Sequence, residues 1–119
     1  MIDQWLSVPY PPSVNHYWGM RGKIRFLTAK ARAFRREIIA AIAECGMDRE
    51  LGALHLMIDQ RPPDRRRRDI DNIVKPIMDA LEHAGAYEND NQVARLSVVR
   101  GAVEKGGACF IKMERIHDG

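Results

Sequence analysis

Asp69 and Asp71 lie two residues apart at the end of the run Arg65-Arg66-Arg67-Arg68, and Lys75 follows four residues after Asp71. Clustered aspartates bind hard divalent cations through oxygen. Arginine forks recognise phosphate. Both in one short stretch point to chemistry that brings a metal ion to a phosphodiester.

On an extended segment, residues two apart face the same side. A short extended stretch would therefore aim both carboxylates at one point. Magnesium keeps several waters, so one or two carboxylates plus a substrate phosphate can hold it. The alternative is helix capping, because aspartate suits the orphan N–H groups and the dipole of a helix N-terminus. Asp90 is the third candidate, in the polar segment Tyr87-Glu88-Asn89-Asp90-Asn91-Gln92. An intervening helix carries the chain roughly 20 Å away at about 1.5 Å per residue. The stretch from Ala84 to Asp90 spans about the same distance when extended, so a return to Asp71 needs a nearly straight path. Glu88 is an additional possible ligand, and a plain polar turn is the other reading of this segment.

Lys75 lies one helical turn after Asp71. It is placed to offset charge building on a phosphate or to orient the attacking water. It is also placed to form an i,i+4 ion pair with Asp71, and the two readings are compatible. Arg65, Arg66, Arg67 and Arg68 are placed to grip phosphates. Without that role they form a solvated, self-repelling loop. Tyr10, Asn15, His16, Tyr17 and Trp18 form an aromatic, polar cluster in which rings either stack on bases or belong to the core. The four histidines show no ligand spacing. No phosphate-cradling glycine loop or serine nucleophile motif is present.

These residues need elements to hold them. Ile2 to Val8 reads as a strand, stopped by Pro9-Tyr10-Pro11-Pro12-Ser13. Residues 13–27 read as a loop or loose hairpin. Thr28 is an N-cap for a helix from Ala29 to Cys45, with Gly46 ending it in the left-handed conformation. Phe34, Ile38, Ala41, Ile42 and Cys45 make its buried stripe. Ala53 to Gln60 alternates as a half-buried strand. A second helix follows over 72–84 with the stripe Ile70, Val74, Ile77, Met78 and Leu81. Pro76 pushes its start later than the apolar pattern suggests, and Gly85 stops it. Gln92 to Arg100 and Ala108 to Arg115 read as strands joined as a hairpin through Lys105-Gly106-Gly107. The tail His117-Asp118-Gly119 is expected to fray. The expected fold is α/β (α+β): a small mixed sheet of about four strands with two main helices packed on it, forming one domain over 1–119.

The chain has 119 residues and a net charge of +3, with 45% hydrophobic and 29% charged residues, which suits one globular core. The charge is unevenly spread. No acidic residue lies between Asp3 and Glu37, but Arg21, Lys23, Arg25, Lys30, Arg32, Arg35 and Arg36 do. A field of one sign suits a polyanion, and a solvated basic face is the plainer reading. Arg21, Lys23, Arg25 and Lys30 join the four clustered arginines as expected phosphate contacts. The two cysteines, Cys45 and Cys109, lack zinc spacing and read as reduced, buried thiols. No signal peptide or membrane span is visible, so a soluble, cytoplasmic protein is expected.

The chain resembles the RusA family of Holliday junction resolvases. The likeness rests on Val8-Pro9-Tyr10-Pro11-Pro12-Ser13 with Asn15, and on Pro63-Asp64 through Asn72 with Lys75. It extends to Asp79-Ala80-Leu81, Gly85 and Glu88-Asn89-Asp90-Asn91-Gln92-Val93. Asn89 and Asn91 depart from the pattern, which weakens the case for a fourth carboxylate. The resemblance implies that Asp69, Asp71 and Asp90 bind magnesium, with manganese as a substitute, and that Lys75 assists cleavage. It implies a homodimer that makes paired nicks across a four-way DNA junction, in recombination and repair. A nuclease acting on flaps or RNA, and a module that binds branched DNA without cutting it, are the competing readings.

Overall fold

The computed structural model describes residues 2–116, with side chains from residue 5 onward. Seven elements build the body: β1 (Ile2–Val8), α1 (Val14–Tyr17), α2 (Ala29–Cys45), β4 (Leu54–Arg61), α3 (Val74–His83), β5 (Val93–Arg100) and β6 (Ala108–Arg115). β2 (Trp18–Arg21) and β3 (Ile24–Leu27) form a separate two-stranded hairpin. The body is a four-stranded mixed sheet in the order β1-β6-β4-β5, with helices on one face. This is the expected mixed α/β class, enlarged by the hairpin and the four-residue α1.

β4 shows how pattern becomes packing. Leu54, Leu56, Ile58 and Gln60 point inward and are buried, while His55, Met57 and Asp59 point outward. Ile111 and Met113 of β6 lie opposite Ile58 and Leu56. Ile38 and Ile42 of α2, with Ile77 and Leu81 of α3, close the core from above. Full burial of each such side chain contributes about 1.5–3 kcal/mol. Helix α2 begins as expected: the Thr28 hydroxyl accepts from the Ala31 N–H, and Gly46 ends the helix at φ 69°.

Three expectations are corrected. β5 and β6 are not a hairpin. β5 pairs parallel with β4, and β6 lies between β1 and β4, so residues 101–107 cross the end of β4. Backbone bonds from Gly101 N to the Gln60 carbonyl and from Glu104 N to the Pro62 carbonyl carry that crossing. Ile70 is exposed and precedes α3; Ile73, just before the first helical residue, is the buried side chain instead. Cys45 is exposed, its thiol donating to the Ile42 carbonyl at 3.2 Å, because it lies in the last turn of α2, past Ile42, the final buried residue of the stripe. Cys109 is buried as expected, and burial pushes its thiol up to about 12. A thiol reagent at neutral pH should therefore label one cysteine in the native protein and two after unfolding. Native labelling of Cys109, located by peptide mapping, would contradict this packing.

The late start of α3 also has a physical cause. Pro76 is the third helical residue, where its missing N–H costs no intrahelical bond. No helix among the described residues is long and apolar enough to cross a membrane. The expected fraying of His117 to Gly119 lies outside the described residues.

Candidate metal and phosphate site

The stretch carrying Asp69 and Asp71 is a turn rather than an extended segment. The Asn72 N–H donates to the Asp69 carbonyl at 3.2 Å, and the Val74 N–H to the Asp71 carbonyl at 3.1 Å. These short-range bonds close the chain on itself, so strand alternation does not govern where the two carboxylates point. The turn is anchored from three directions. Buried Gln60 donates to the Ile70 carbonyl at 3.0 Å, the Val14 N–H to the Asn72 carbonyl at 2.7 Å, and Arg100 to the Arg68 carbonyl at 2.5 Å. Tyr10 in turn donates to Gln60 Oε1 at 3.2 Å. The backbone is thus held while both aspartates are exposed to solvent.

Capping does not explain these aspartates. The N-cap position of α3 is Ile73, and no side chain caps that helix. Neither carboxylate forms a hydrogen bond or ion pair with another described residue. Lys75 does not pair with Asp71 either. Its ammonium lies 2.6 Å from Asp90 Oδ2, with the lysine half exposed and Asp90 mostly covered. The chain after α3 therefore does return beside the start of that helix, reaching Lys75.

Local structure fixes Asp90. It opens a short 3-10 turn, Asp90–Gln92, whose N-cap Asn89 and third residue Gln92 make reciprocal capping bonds. The Gln92 amide also donates to the carbonyls of Glu50 and Gly52, both at 3.0 Å. The fully buried Tyr87 hydroxyl lies 2.6 Å from the Met78 carbonyl and 3.0 Å from Asp90 Oδ1, donating its one proton between these acceptors. Burial, and next the Asp90 charge, raise the Tyr87 phenol above its ordinary value. It remains a neutral donor throughout the working range. Glu88 is exposed on the same loop.

The donor set is all oxygen, which suits magnesium. Within one chain, however, no three His, Cys, Asp or Glu side chains among the described residues gather closely enough to hold a metal ion. The structure joins Lys75 to Asp90; it does not join Asp69, Asp71 and Asp90 into one cluster.

The arginines divide. Arg65, Arg66, Arg67, Arg68 and Arg100 line one open cleft of about 350 Å³ with Asp64. Arg68 is pinned to Asp64 Oδ1 at 2.7 Å, and its guanidinium lies over the Tyr10 ring at 5.8 Å. The Arg68 bond, and next the Arg66 N–H, hold the Asp64 carboxyl down to about 2. That latch is present above the ordinary aspartate range and is lost only as pH falls toward 2. Arg65 and Arg67 are exposed and pair with no described residue. Arg21, Lys23 and Arg25 lie on the hairpin and Lys30 on the first turn of α2, all exposed.

Of the aromatic cluster, Tyr17 is wholly buried and serves the core. Its hydroxyl donates to Asp79 Oδ2 at 2.5 Å, and Arg35 reaches the same oxygen at 2.7 Å. Tyr87, Arg100 and Gln60 escaped the sequence reading. Only Gln60, a polar residue in an inward register position, left a trace there.

Residues 9–114 match the family described as Endodeoxyribonuclease RusA. The chain is 36% identical over 117 residues to the crossover junction endodeoxyribonuclease of Enterobacteria phage HK97, covering 98% of each. It is 36% identical over 103 residues to the corresponding enzymes of Escherichia coli and Enterobacteria phage 82, covering 86% of each chain. With matches of that extent and a family profile spanning almost the whole chain, this protein belongs to the RusA family of endodeoxyribonucleases.

Proposed function

We propose that this chain is a magnesium-dependent, structure-selective endonuclease that resolves four-way DNA junctions by paired symmetric nicks, as a cytoplasmic homodimer serving recombination and repair. The observation that carries the reading is the 2.6 Å contact of Lys75 with Asp90, beside a turn that offers two uncapped carboxylates. The names of the similar enzymes, which act at crossover junctions, support the substrate.

Asp69, Asp71 and Asp90 would hold the metal. One or two of them with waters and a substrate phosphate suffice for magnesium, and manganese takes similar oxygen ligands. One or two carboxylates within reach of the ion are therefore enough for the fit. A bound ion would supply Lewis-acid polarisation of the scissile phosphate and an acidified water. Asp90, itself held by the Tyr87 hydroxyl, positions the Lys75 ammonium, which would offset charge that builds on the phosphate. The arginine cleft grips flanking phosphates. A two-fold dimer presents two such sites to a two-fold branched substrate, which suits symmetric cuts. Junctions would be chosen by shape and backbone contact more than by base sequence.

The test compares synthetic four-way junctions, flaps and RNA duplexes, each with magnesium, with manganese and with a chelator. We expect opposed nicks in the junction, cleavage with either metal, and none with the chelator. Faster cutting of flaps or RNA would favour a different nuclease. Tight junction binding with no cutting under any metal would favour a binding module.

A further inference from the structure

The β2–β3 hairpin carries apolar side chains that the core does not use. Its register pairs Trp18 with Leu27, Gly19 with Phe26, Met20 with Arg25 and Arg21 with Ile24. Side chains alternate between faces. One face holds Trp18, Leu27, Met20 and Arg25, and Trp18 and Leu27 pack against the buried cluster. The other face holds Gly19, Phe26, Arg21 and Ile24. Phe26 is 41% and Ile24 69% exposed, and neither packs on that cluster.

This second face has a specific construction. The far end of the Phe26 ring rests on Gly19, where an added Cβ would meet ring atoms at 2.4–3.0 Å. Glycine therefore gives the ring a backbone seat. Arg21 lies over the same ring, 5.9 Å from its centroid. A seated ring, a guanidinium and an isoleucine are the parts of a base-stacking platform. The surrounding charge selects the occupant. Arg21, Lys23 and Arg25 stand on the hairpin, and no acidic residue lies between Asp3 and Glu37. Such a field draws a polyanion.

We propose that this face, centred on Phe26, stacks on a DNA base exposed at the branch point, with Ile24 wedged beside it and the hairpin cations on the adjoining phosphates. The inference rests on the reading of branched DNA as substrate and adds the element that opens the branch. Bases at a strand exchange are the least constrained in a junction. Proteins that distort DNA commonly insert an apolar wedge at such steps. An unbranched duplex keeps its bases stacked and offers the ring no partner.

The test uses the full chain under metal-free conditions, so that no cutting intervenes. A junction carrying 5-iododeoxyuridine at the branch is irradiated, and the crosslinked residue is found by mass spectrometry. We expect a crosslink at Phe26 with the junction and none with a continuous duplex. Phe26→Leu, which keeps apolar bulk without the flat ring, should lose the crosslink and bind the junction about ten-fold more weakly. Phe26→Trp should restore affinity. Both variants should melt with the parent protein, because residue 26 lies outside the buried cluster. A crosslink elsewhere, or junction affinity unchanged in Phe26→Leu, would overturn the proposal. So would a shift from dimer to monomer in sedimentation, which would make this face a contact between copies. A protein that cuts junctions without a crosslink at residue 26 loses only the stacking role. One that binds no branched DNA removes the underlying reading.

Discussion

Asp71→Asn is expected to slow junction cleavage by about 10³-fold while leaving junction binding within a few-fold of the parent protein. Asparagine keeps the shape but removes the charge that a hard cation requires. The substitution should cost little stability. The Asp71 side chain is exposed, caps no helix and pairs with no described residue, while its backbone carbonyl, which bonds the Val74 N–H at 3.1 Å, is unchanged. Lys75→Ala should produce a smaller loss, on the order of 10²-fold, because it removes charge stabilisation and leaves the metal ligands. Single-turnover cleavage beside a gel-shift titration separates chemistry from binding. Cleavage by Asp71→Asn at the parent rate would show that this carboxylate is not a ligand.

The second large effect concerns stability. Tyr17, Arg35 and Asp79 join α1, α2 and α3 through one carboxylate oxygen, and the Arg35 and Asp79 side chains are each only 19% exposed. Asp79→Ala strands the guanidinium without its counter-charge and the phenol without its acceptor. Breaking a largely buried pair from one side costs about 3 kcal/mol. For a domain of this size that corresponds to a fall in Tm of roughly 10 °C. Asp79→Asn, which still accepts from Tyr17, should fall between. The Tyr17 phenol is raised above its ordinary value by burial and then by the Asp79 bond, so it stays a donor at any ordinary pH. A thermal melt of Asp79→Ala within a degree of the parent would refute this account of the network.

Much of the fold was legible because local chemistry specified it. Thr28 and Gly46 bound α2 where a capping hydroxyl and a left-handed residue are needed. Pro76 forbids an early start for α3 and sits in its first turn. The alternation of Leu54, Leu56 and Ile58 gives β4 one buried face. What was illegible depends on contacts distant in sequence. Lys105-Gly106-Gly107 reads as a hairpin turn, yet β5 finds its partner in β4, and nothing local in 93–100 states that choice. Ile70 fits the helical stripe by spacing, but the turn bonds of Asp69 and Asp71 displace it outward and bury Ile73.

The site divides in the same way. Residue types marked Asp69, Asp71, Lys75 and Asp90 as a group, and reach along the chain allowed Asp90 to return. The partner that Lys75 would choose was not readable, since Asp71 at i,i+4 competes on paper with an aspartate fifteen residues away. Tyr87, which secures that aspartate, reads in sequence only as the first residue of a polar segment, and its burial is not visible there. Tyr17 and Phe26 make the reverse lesson: Tyr17, inside the expected stacking cluster, is buried at the end of α1, and Phe26, outside that cluster, is exposed on β3.

The most direct measurement is manganese binding by electron paramagnetic resonance on the intact protein with an uncleavable junction. Bound manganese should be detected with the parent chain, and Asp69→Asn, Asp71→Asn and Asp90→Asn should each weaken it at least ten-fold, with junction affinity retained. Manganese affinity indifferent to all three substitutions would contradict a carboxylate-held metal as the centre of this enzyme.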